Sequence, residues 1–184
     1  MMKIIKPVHT FFVIMIISLC LASCSNNDKT YKALQLTNSE TCGLCGMIIL
    51  NYAGPHAQIA WKDGKHTFYC NILEAFPIIL DTAQRQRMGE IFVQDFGGIK
   101  WASYSDKWIK AKNAYYVIDS HRLSVMGITY VPFKNKNQAI KFQKQFGGQV
   151  VSFNQITNNT ISYSYSLMQK KQQEYGPHMS SMDM

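Results

Sequence analysis

Three sulfur-bearing side chains lie close together in the first third of the chain: Cys42, Cys45 and Met47. Two cysteines separated by two residues can bind a single soft metal ion, and Gly43 and Gly46 allow the tight backbone that this requires. The thioether of Met47 adds a third soft donor, which a pair of strongly reducing thiols would not need. This set of donors favours Cu(I).

The same spacing leaves three other interpretations open. A structural zinc site needs four ligands, and Cys70 with His66 could complete it only on a helix, whereas the pattern there predicts a strand. A thioredoxin-like redox pair requires the cysteines at a helix N-terminus, where the helix dipole lowers the thiolate pKa, but the segment 47–50 is strand-like. The third interpretation is a plain disulfide between Cys42 and Cys45.

The N-terminus has the features of a bacterial lipoprotein export signal. Lys3 and Lys6 precede an apolar run at 11–21 that is shorter than a membrane-spanning helix. The run ends in Leu-Ala-Ser-Cys, so we expect removal of residues 1–23 and acylation of Cys24, with palmitate among its acyl groups. This predicts a lipid-anchored protein that faces the periplasm.

The residues after the predicted anchor refine this location. Ser25 and Asn26 provide no acidic retention signal, which favours the outer membrane over the inner one. Export places the remaining thiols in an oxidising compartment. Only Cys42, Cys45 and Cys70 then remain, an odd number, so they cannot all pair in disulfides.

Composition and motifs argue against two broad classes of function. The chain has 19 basic and 11 acidic residues and a formal net charge of +8. The basic residues are scattered rather than gathered in a block with aromatic residues, so we expect no nucleic-acid partner. No Ser/His/Asp order, paired carboxylates or phosphate-binding loop stands out, so we predict no enzymatic activity.

Hydrophobic periodicity and turn signals predict an α+β fold. Residues 24–40 are polar and predict a flexible tether, and residues 158–184 predict a polar, mobile tail. Between them a strand, strand, helix, strand order occurs twice, which predicts two similar ββαβ units at 41–112 and 113–157. The predicted strands are 47–50, 57–61, 66–69, 91–96, 114–118, 128–133 and 150–153, and the predicted helices are 71–80 and 137–146.

Several short motifs follow one another along the mature chain. They are the lipoprotein signal, Cys-x-x-Cys-Gly-Met at 42–47, Gly-Pro-His-Ala-Gln-Ile at 54–59, Ala-Tyr-Tyr-Val at 114–117, Met-Gly at 126–127, Val-Pro-Phe at 131–133, and Ala139 and Phe142 before Phe-Gly-Gly at 146–148. In this order they resemble the NosL family of nitrous oxide reductase accessory lipoproteins. The resemblance covers residues 41–156.

The resemblance implies a periplasmic, membrane-tethered Cu(I) chaperone. Its copper would go to the copper-sulfide cluster machinery of nitrous oxide reductase, together with an associated periplasmic protein and an ABC transporter. Residue by residue, it implies Cys42, Cys45, Met47 and Met126 as copper ligands. The chain departs from the family at 68–71, where it has Phe-Tyr-Cys-Asn and many relatives have Phe-Asp-Asp and a later cysteine.

Other donors are secondary candidates for the metal site. They are His56 after the Gly-Pro turn, Cys70, His121 before the Met-Gly pair, and the terminal His178, Met179, Met182 and Met184. The terminal group could be a second copper-loading arm or only a Met-rich tail. Two alternative functions also stay open: a periplasmic thiol-disulfide oxidoreductase and a general copper- or zinc-binding lipoprotein.

Overall fold

The structure is a computed structural model, and it describes residues 29–179. The predicted export signal, the predicted lipidation site Cys24 and the C-terminal Met182 and Met184 lie outside the described residues. Within the described part, no helix combines the length and the apolar character needed to cross a membrane.

The first half of the described chain is built on a four-stranded antiparallel sheet of order β2-β1-β3-β4. Its strands are β1 (Ala57–Trp61), β2 (His66–Tyr69), β3 (Met88–Gln94) and β4 (Trp108–Lys110). The Asp-Gly pair at 63–64 forms the predicted turn between β1 and β2, and Gly64 has a φ of 90°, which favours glycine. Because β2 is an edge strand, its outer side is free to pair with the cysteine segment.

Two helices connect β2 to β3: α1 (Ile72–Leu80) and α2 (Thr82–Arg87). The side chain of Asn71 caps the N-terminus of α1, and that of Asp81 caps α2. Pro77 lies inside α1, which continues past it.

The second half contains a three-stranded antiparallel sheet, a short hairpin and a helix. The sheet has β5 (Tyr115–Ile118) between β8 (Val131–Phe133) and β9 (Gln149–Ser152), the hairpin pairs β6 (Leu123–Ser124) with β7 (Gly127–Ile128), and the helix is α3 (Lys136–Phe146). The predicted α+β class is confirmed. The division into two similar ββαβ units stays a prediction.

Helix α1 joins the two halves through an aromatic cluster. The ring of Phe76 on α1 lies 5.7 Å from that of Tyr116, 5.5 Å from that of Tyr130 and 5.7 Å from that of Phe153. These residues belong to one hydrophobic core that includes side chains from both sheets. Each such ring buries a large apolar area, so this packing fixes α1, and Cys70 just before it, against the second half.

The predicted strand at 47–50 is wrong. Only Ile48 makes an isolated bridge, to Thr41, and a 3₁₀ turn follows at Ile49–Asn51. A short apolar run does not by itself distinguish a strand from another buried segment. Here the turn buries Ile49 completely and redirects the chain toward β1.

The predicted strand at 128–133 is interrupted. Thr129 and Tyr130 separate β7 from β8. The Thr129 hydroxyl accepts a hydrogen bond from the backbone N–H of Ile72, and the Tyr130 hydroxyl bonds to that of Ser164. Bonds to two helices therefore replace the sheet ladder at this point.

The prediction of a mobile tail is wrong for residues 158–179, which form helix α4 (Asn158–Met179). Ile161 and Ser164 on its first turns are buried. The Ser164 hydroxyl donates a hydrogen bond to Asp119 and also bonds to Tyr130. Composition did not predict this helix, because most of its residues are polar and only a few buried positions hold it against the rest of the fold.

The predicted tether at 24–40 is also partly ordered. The backbone N–H of Leu34 donates to the side-chain oxygen of Gln58, and the amide nitrogen of Gln58 donates to the carbonyl of Leu34. Leu36 is buried in a hydrophobic cluster that also contains Cys42 and Cys70. The prediction of flexibility is therefore wrong for this part of the segment, which is attached to the rest of the fold by the backbone of Leu34, the buried side chain of Leu36 and a pairing glutamine.

Candidate metal centre

Three cysteine sulfurs meet at the edge of the first sheet. The Sγ atoms of Cys42, Cys45 and Cys70 all lie within 4.8 Å of one another, and those of Cys45 and Cys70 are 3.5 Å apart. Cys42 and Cys70 are buried, whereas Cys45 is exposed. The cluster is therefore closed on one side and open to solvent at Cys45.

A tight backbone loop shapes the Cys-x-x-Cys segment. The backbone N–H of Cys42 donates to the carbonyl of Met47 at 2.9 Å, and the N–H of Gly46 donates to the carbonyl of Cys42 at 2.9 Å. Gly46 has a φ of 73°, where a side chain would strain the backbone. The loop brings Cys45 back over Cys42 without a helix.

Pairing with the edge strand β2 brings in the third thiol. Cys42 bridges to Phe68 in parallel, and the N–H of Gly43 donates to the carbonyl of Phe68 at 2.8 Å. A Cβ on Gly43 would collide with the Thr67 side chain, so this close approach requires glycine. Cys70 follows β2 directly and is thereby placed beside the loop.

Two thioether side chains, those of Met47 and Met126, pack against the hydrophobic cluster that contains Cys42 and Cys70. Met126 lies in the turn between β6 and β7. The side-chain nitrogen of Asn71 donates to the Ser124 hydroxyl and to the carbonyl of Ile128, both at 2.9 Å. Because Asn71 follows Cys70 directly, these bonds fix the methionine-bearing hairpin next to the buried cysteine.

The thiols differ in their electrostatic surroundings. Burial raises the pKa of Cys42, but hydrogen bonds from the backbone of Cys70, Cys45 and Leu44 outweigh burial, so its pKa is below the ordinary value. Burial raises the pKa of Cys70, and the hydrogen bond with Cys45 and the charge of Cys42 raise it further. Cys42 therefore ionises more readily than Cys70, and a bound cation would offset the cost of ionising the second buried thiol.

His56 lies behind the cluster rather than in it. Its side chain is buried, and its Nδ1 is 3.3 Å from the backbone oxygen of Cys70. Burial lowers the pKa of His56 to about 4. The imidazole is therefore neutral near pH 7 and supports the backbone at Cys70.

Among the remaining candidates whose side chains the structure describes, His121 does not belong to the sulfur group. The backbone N–H of His121 donates to the carbonyl of Phe146, and its exposed imidazole lies beside Gly147. His178 and Met179 end helix α4, and only their backbone is described.

Sequence reasoning missed the residues that assemble the site. Asn71 and Ser124 carry no chemistry of their own, and their partnership spans 53 positions. The one local signal was the helix-capping character of Asn71 directly after Cys70. That signal indicates a helix start but not a contact with a distant hairpin.

Comparison with known proteins identifies the family of this chain. The NosL family model matches residues 33–161. The chain belongs to the NosL family. It is 26% identical over 162 residues to the copper-binding lipoprotein NosL of Stutzerimonas stutzeri, which covers 86% of this chain and 85% of that protein. It is 32% identical over 157 residues to the copper-binding lipoprotein NosL of Achromobacter cycloclastes, and this match covers 82% of this chain and 81% of that protein.

A solved NosL structure has the same fold. The crystal structure of the copper chaperone NosL from Shewanella denitrificans superposes with a TM-score of 0.67 at 30% identity. The match covers 71% of this chain and 98% of that one. The NosL family model ends at residue 161, so most of helix α4 lies beyond the matched region.

Proposed function

We propose that this protein is an exported, lipid-anchored Cu(I) carrier. The observation that carries the proposal is the group of three cysteine sulfurs within 4.8 Å of one another. Met47 and Met126 pack against the hydrophobic cluster to which Cys42 and Cys70 belong. Thiolate and thioether sulfur are soft donors, and they select Cu(I) over harder cations. In this proposal Cys42, Cys45 and Cys70 bind the ion and the two methionines complete the set.

The uneven burial of the thiols suits a protein that must release its metal. Cys42 and Cys70 hold the ion from the protein side, and exposed Cys45 leaves one side open to an incoming ligand. A recipient sulfur or imidazole could therefore enter the coordination shell before the last donor of the carrier leaves. Copper is cargo here, and we propose transfer rather than catalysis.

We further propose that the copper serves the maturation of nitrous oxide reductase. Two curated relatives carry the name copper-binding lipoprotein, and the related crystal structure is that of a copper chaperone. The resemblance in the sequence motifs adds the reductase, its assembly proteins and the ABC transporter as partners. Acylation of Cys24 would attach the carrier to the membrane facing the periplasm, with the outer membrane favoured.

Two observations favour thiol-disulfide exchange as a second candidate function. Cys45 and Cys70 have sulfurs 3.5 Å apart, and Cys42 has a lowered pKa. Against it, the Cys-x-x-Cys segment lies in a turn that no α-helix follows, so the helix dipole that activates thioredoxin-like cysteines is missing there.

An anaerobic Cu(I) titration of the reduced chain from Ser25 onward, competed against a chromophoric Cu(I) chelator, tests the proposal. We expect tight uptake that falls by at least roughly tenfold for Cys45→Ser or Met47→Leu, because even residues that only orient metal ligands typically cost about 10- to 100-fold in affinity when replaced. Met88→Leu is the matched control, because Met88 packs in the hydrophobic core shared by the two sheets and not in the cluster that contains Cys42 and Cys70. Disulfide reductase activity that Met47→Leu does not change, without copper uptake, would favour the second candidate instead.

A further inference from the structure

A groove of about 550 Å³ lies between helix α3 and the loop that follows β3, lined by different residues from the sulfur cluster. Five of its twelve lining residues are aromatic. The Trp101 and Phe142 rings are 6.3 Å apart and inclined by only 30°, and the Phe96 and Phe146 rings lie 5.3 Å from Trp101 and 4.6 Å from Phe142, respectively. Such faces fit a flat apolar ring, and the volume is in the range of small-molecule sites.

One cation lies across this aromatic wall. The guanidinium carbon of Arg122 is 4.5 Å from the Phe146 ring centre and 5.7 Å from that of Trp101. Its Nε atom is buried, and no residue of the described chain provides it with a hydrogen-bond acceptor. A buried, unpaired donor on a charged group is costly, and an anion bound to the groove side of the guanidinium would lower the cost of that charge.

The charge around the groove has a single sign. Lys100 and Lys141 line it with Arg122, and the described lining residues include no carboxylate. The two carboxylates that lie closest in sequence to the lining residues have other partners. Asp95 accepts hydrogen bonds from two backbone N–H groups, and Asp119 accepts one from a serine on α4. The groove therefore presents three positive charges beside an aromatic surface.

We propose that this groove binds a small planar organic anion of the aromatic carboxylate class. The ring would lie against Trp101 and Phe142, and the carboxylate would accept hydrogen bonds from Arg122, with Lys100 and Lys141 at the rim. This second binding function does not depend on copper, because none of these residues belongs to the sulfur cluster.

The test uses the full-length chain in detergent and 4-(trifluoromethyl)benzoate as the probe, followed by fluorine NMR against a detergent-only blank. We expect saturable line broadening that excess benzoate reverses. Because Arg122 supplies a charge-assisted hydrogen bond, Arg122→Gln should weaken binding by about tenfold.

A matched pair on α3 keeps the test decisive if Arg122→Gln destabilises the fold. Both Lys141 and Lys144 are exposed on this helix, but only Lys141 lines the groove. Lys141→Gln should weaken binding by about two- to threefold, as expected for an exposed charge, and Lys144→Gln should leave it unchanged. Absence of saturable binding at millimolar probe, equal binding of neutral 4-(trifluoromethyl)benzyl alcohol, or equal effects of the two lysine variants would each overturn the proposal.

Discussion

The sulfur atoms of Cys45 and Cys70 lie 3.5 Å apart, although 25 positions separate these residues in the chain. The Cys-x-x-Cys motif instead suggests that Cys42 and Cys45 form the pair. The fold therefore offers the exposed thiol a partner outside its own motif. The odd third thiol is Cys42, which stays buried beside the pair.

We predict that mild oxidation of the copper-free protein forms the Cys45–Cys70 disulfide and leaves Cys42 as the free thiol. Glutathione disulfide would take up the two electrons and release two glutathione thiols as the protein disulfide forms. Peptide mapping after alkylation identifies the pair. Cys42→Ser should still form this disulfide, and bound Cu(I) should prevent it. A Cys42–Cys45 bridge as the main product would contradict the prediction.

A pair of methionines separates ligand chemistry from packing. Met126 packs against the hydrophobic cluster that contains Cys42 and Cys70, whereas Met168 lies on α4 with its sulfur beside Gly127. Leucine has a similar volume and no donor atom, so each Met→Leu substitution largely preserves packing. We expect Met126→Leu to weaken Cu(I) binding by about tenfold, and Met168→Leu to leave it unchanged. Chelator competition measures both, and equal losses would show that the hairpin acts only through packing.

The local part of the site could be predicted from the sequence. Cys42, Cys45 and Met47 lie within one loop, and Gly46 adopts the left-handed conformation that a tight loop requires. The arrival of Cys70 could not be predicted in the same way, because it depends on pairing between residue 42 and the edge of β2. Tertiary contacts of this kind leave no periodic signal.

The C-terminal segment shows a different limit of sequence reasoning. Its polar composition predicts mobility, yet Ile161 and Ser164 are buried and define a face of helix α4. Tertiary hydrogen bonds override weak helix propensity there, and tertiary packing is the usual source of helix stability in proteins. The mean polarity of the segment does not reveal these few buried positions, so a prediction from composition misses them.

The buried histidine predicts a pH-dependent stability of the copper-free, reduced protein. Burial lowers the pKa of His56 from 6.5 to about 4. Between these values the unfolded chain binds a proton that the folded chain excludes, so the free energy of unfolding falls as the pH decreases from 6.5 to about 4. The full difference is of the order of 3 kcal/mol.

Urea unfolding at a series of pH values measures this effect of His56. His56→Gln should flatten the profile between pH 6.5 and 4, even if it lowers stability at pH 7. His121→Gln serves as the control, because the imidazole of His121 is exposed. An unchanged slope in His56→Gln would assign the acid sensitivity to other groups.

Helix α4 provides the last prediction, because the hydroxyl of Ser164 bonds it to the second half of the chain. The buried Ser164 hydroxyl bonds to Tyr130 at 2.9 Å and donates to Asp119. Ser164→Ala leaves two buried or half-buried polar groups without this partner, so we expect a loss of about 1–3 kcal/mol in the free energy of unfolding. Hydrogen exchange in α4 should rise with it. Ser166→Ala is the matched control, since Ser166 is exposed on the same helix and bonds only to the carbonyl of Tyr163. Equal losses in both variants would mean that helix propensity, and not the bond to Tyr130 and Asp119, holds α4 in place.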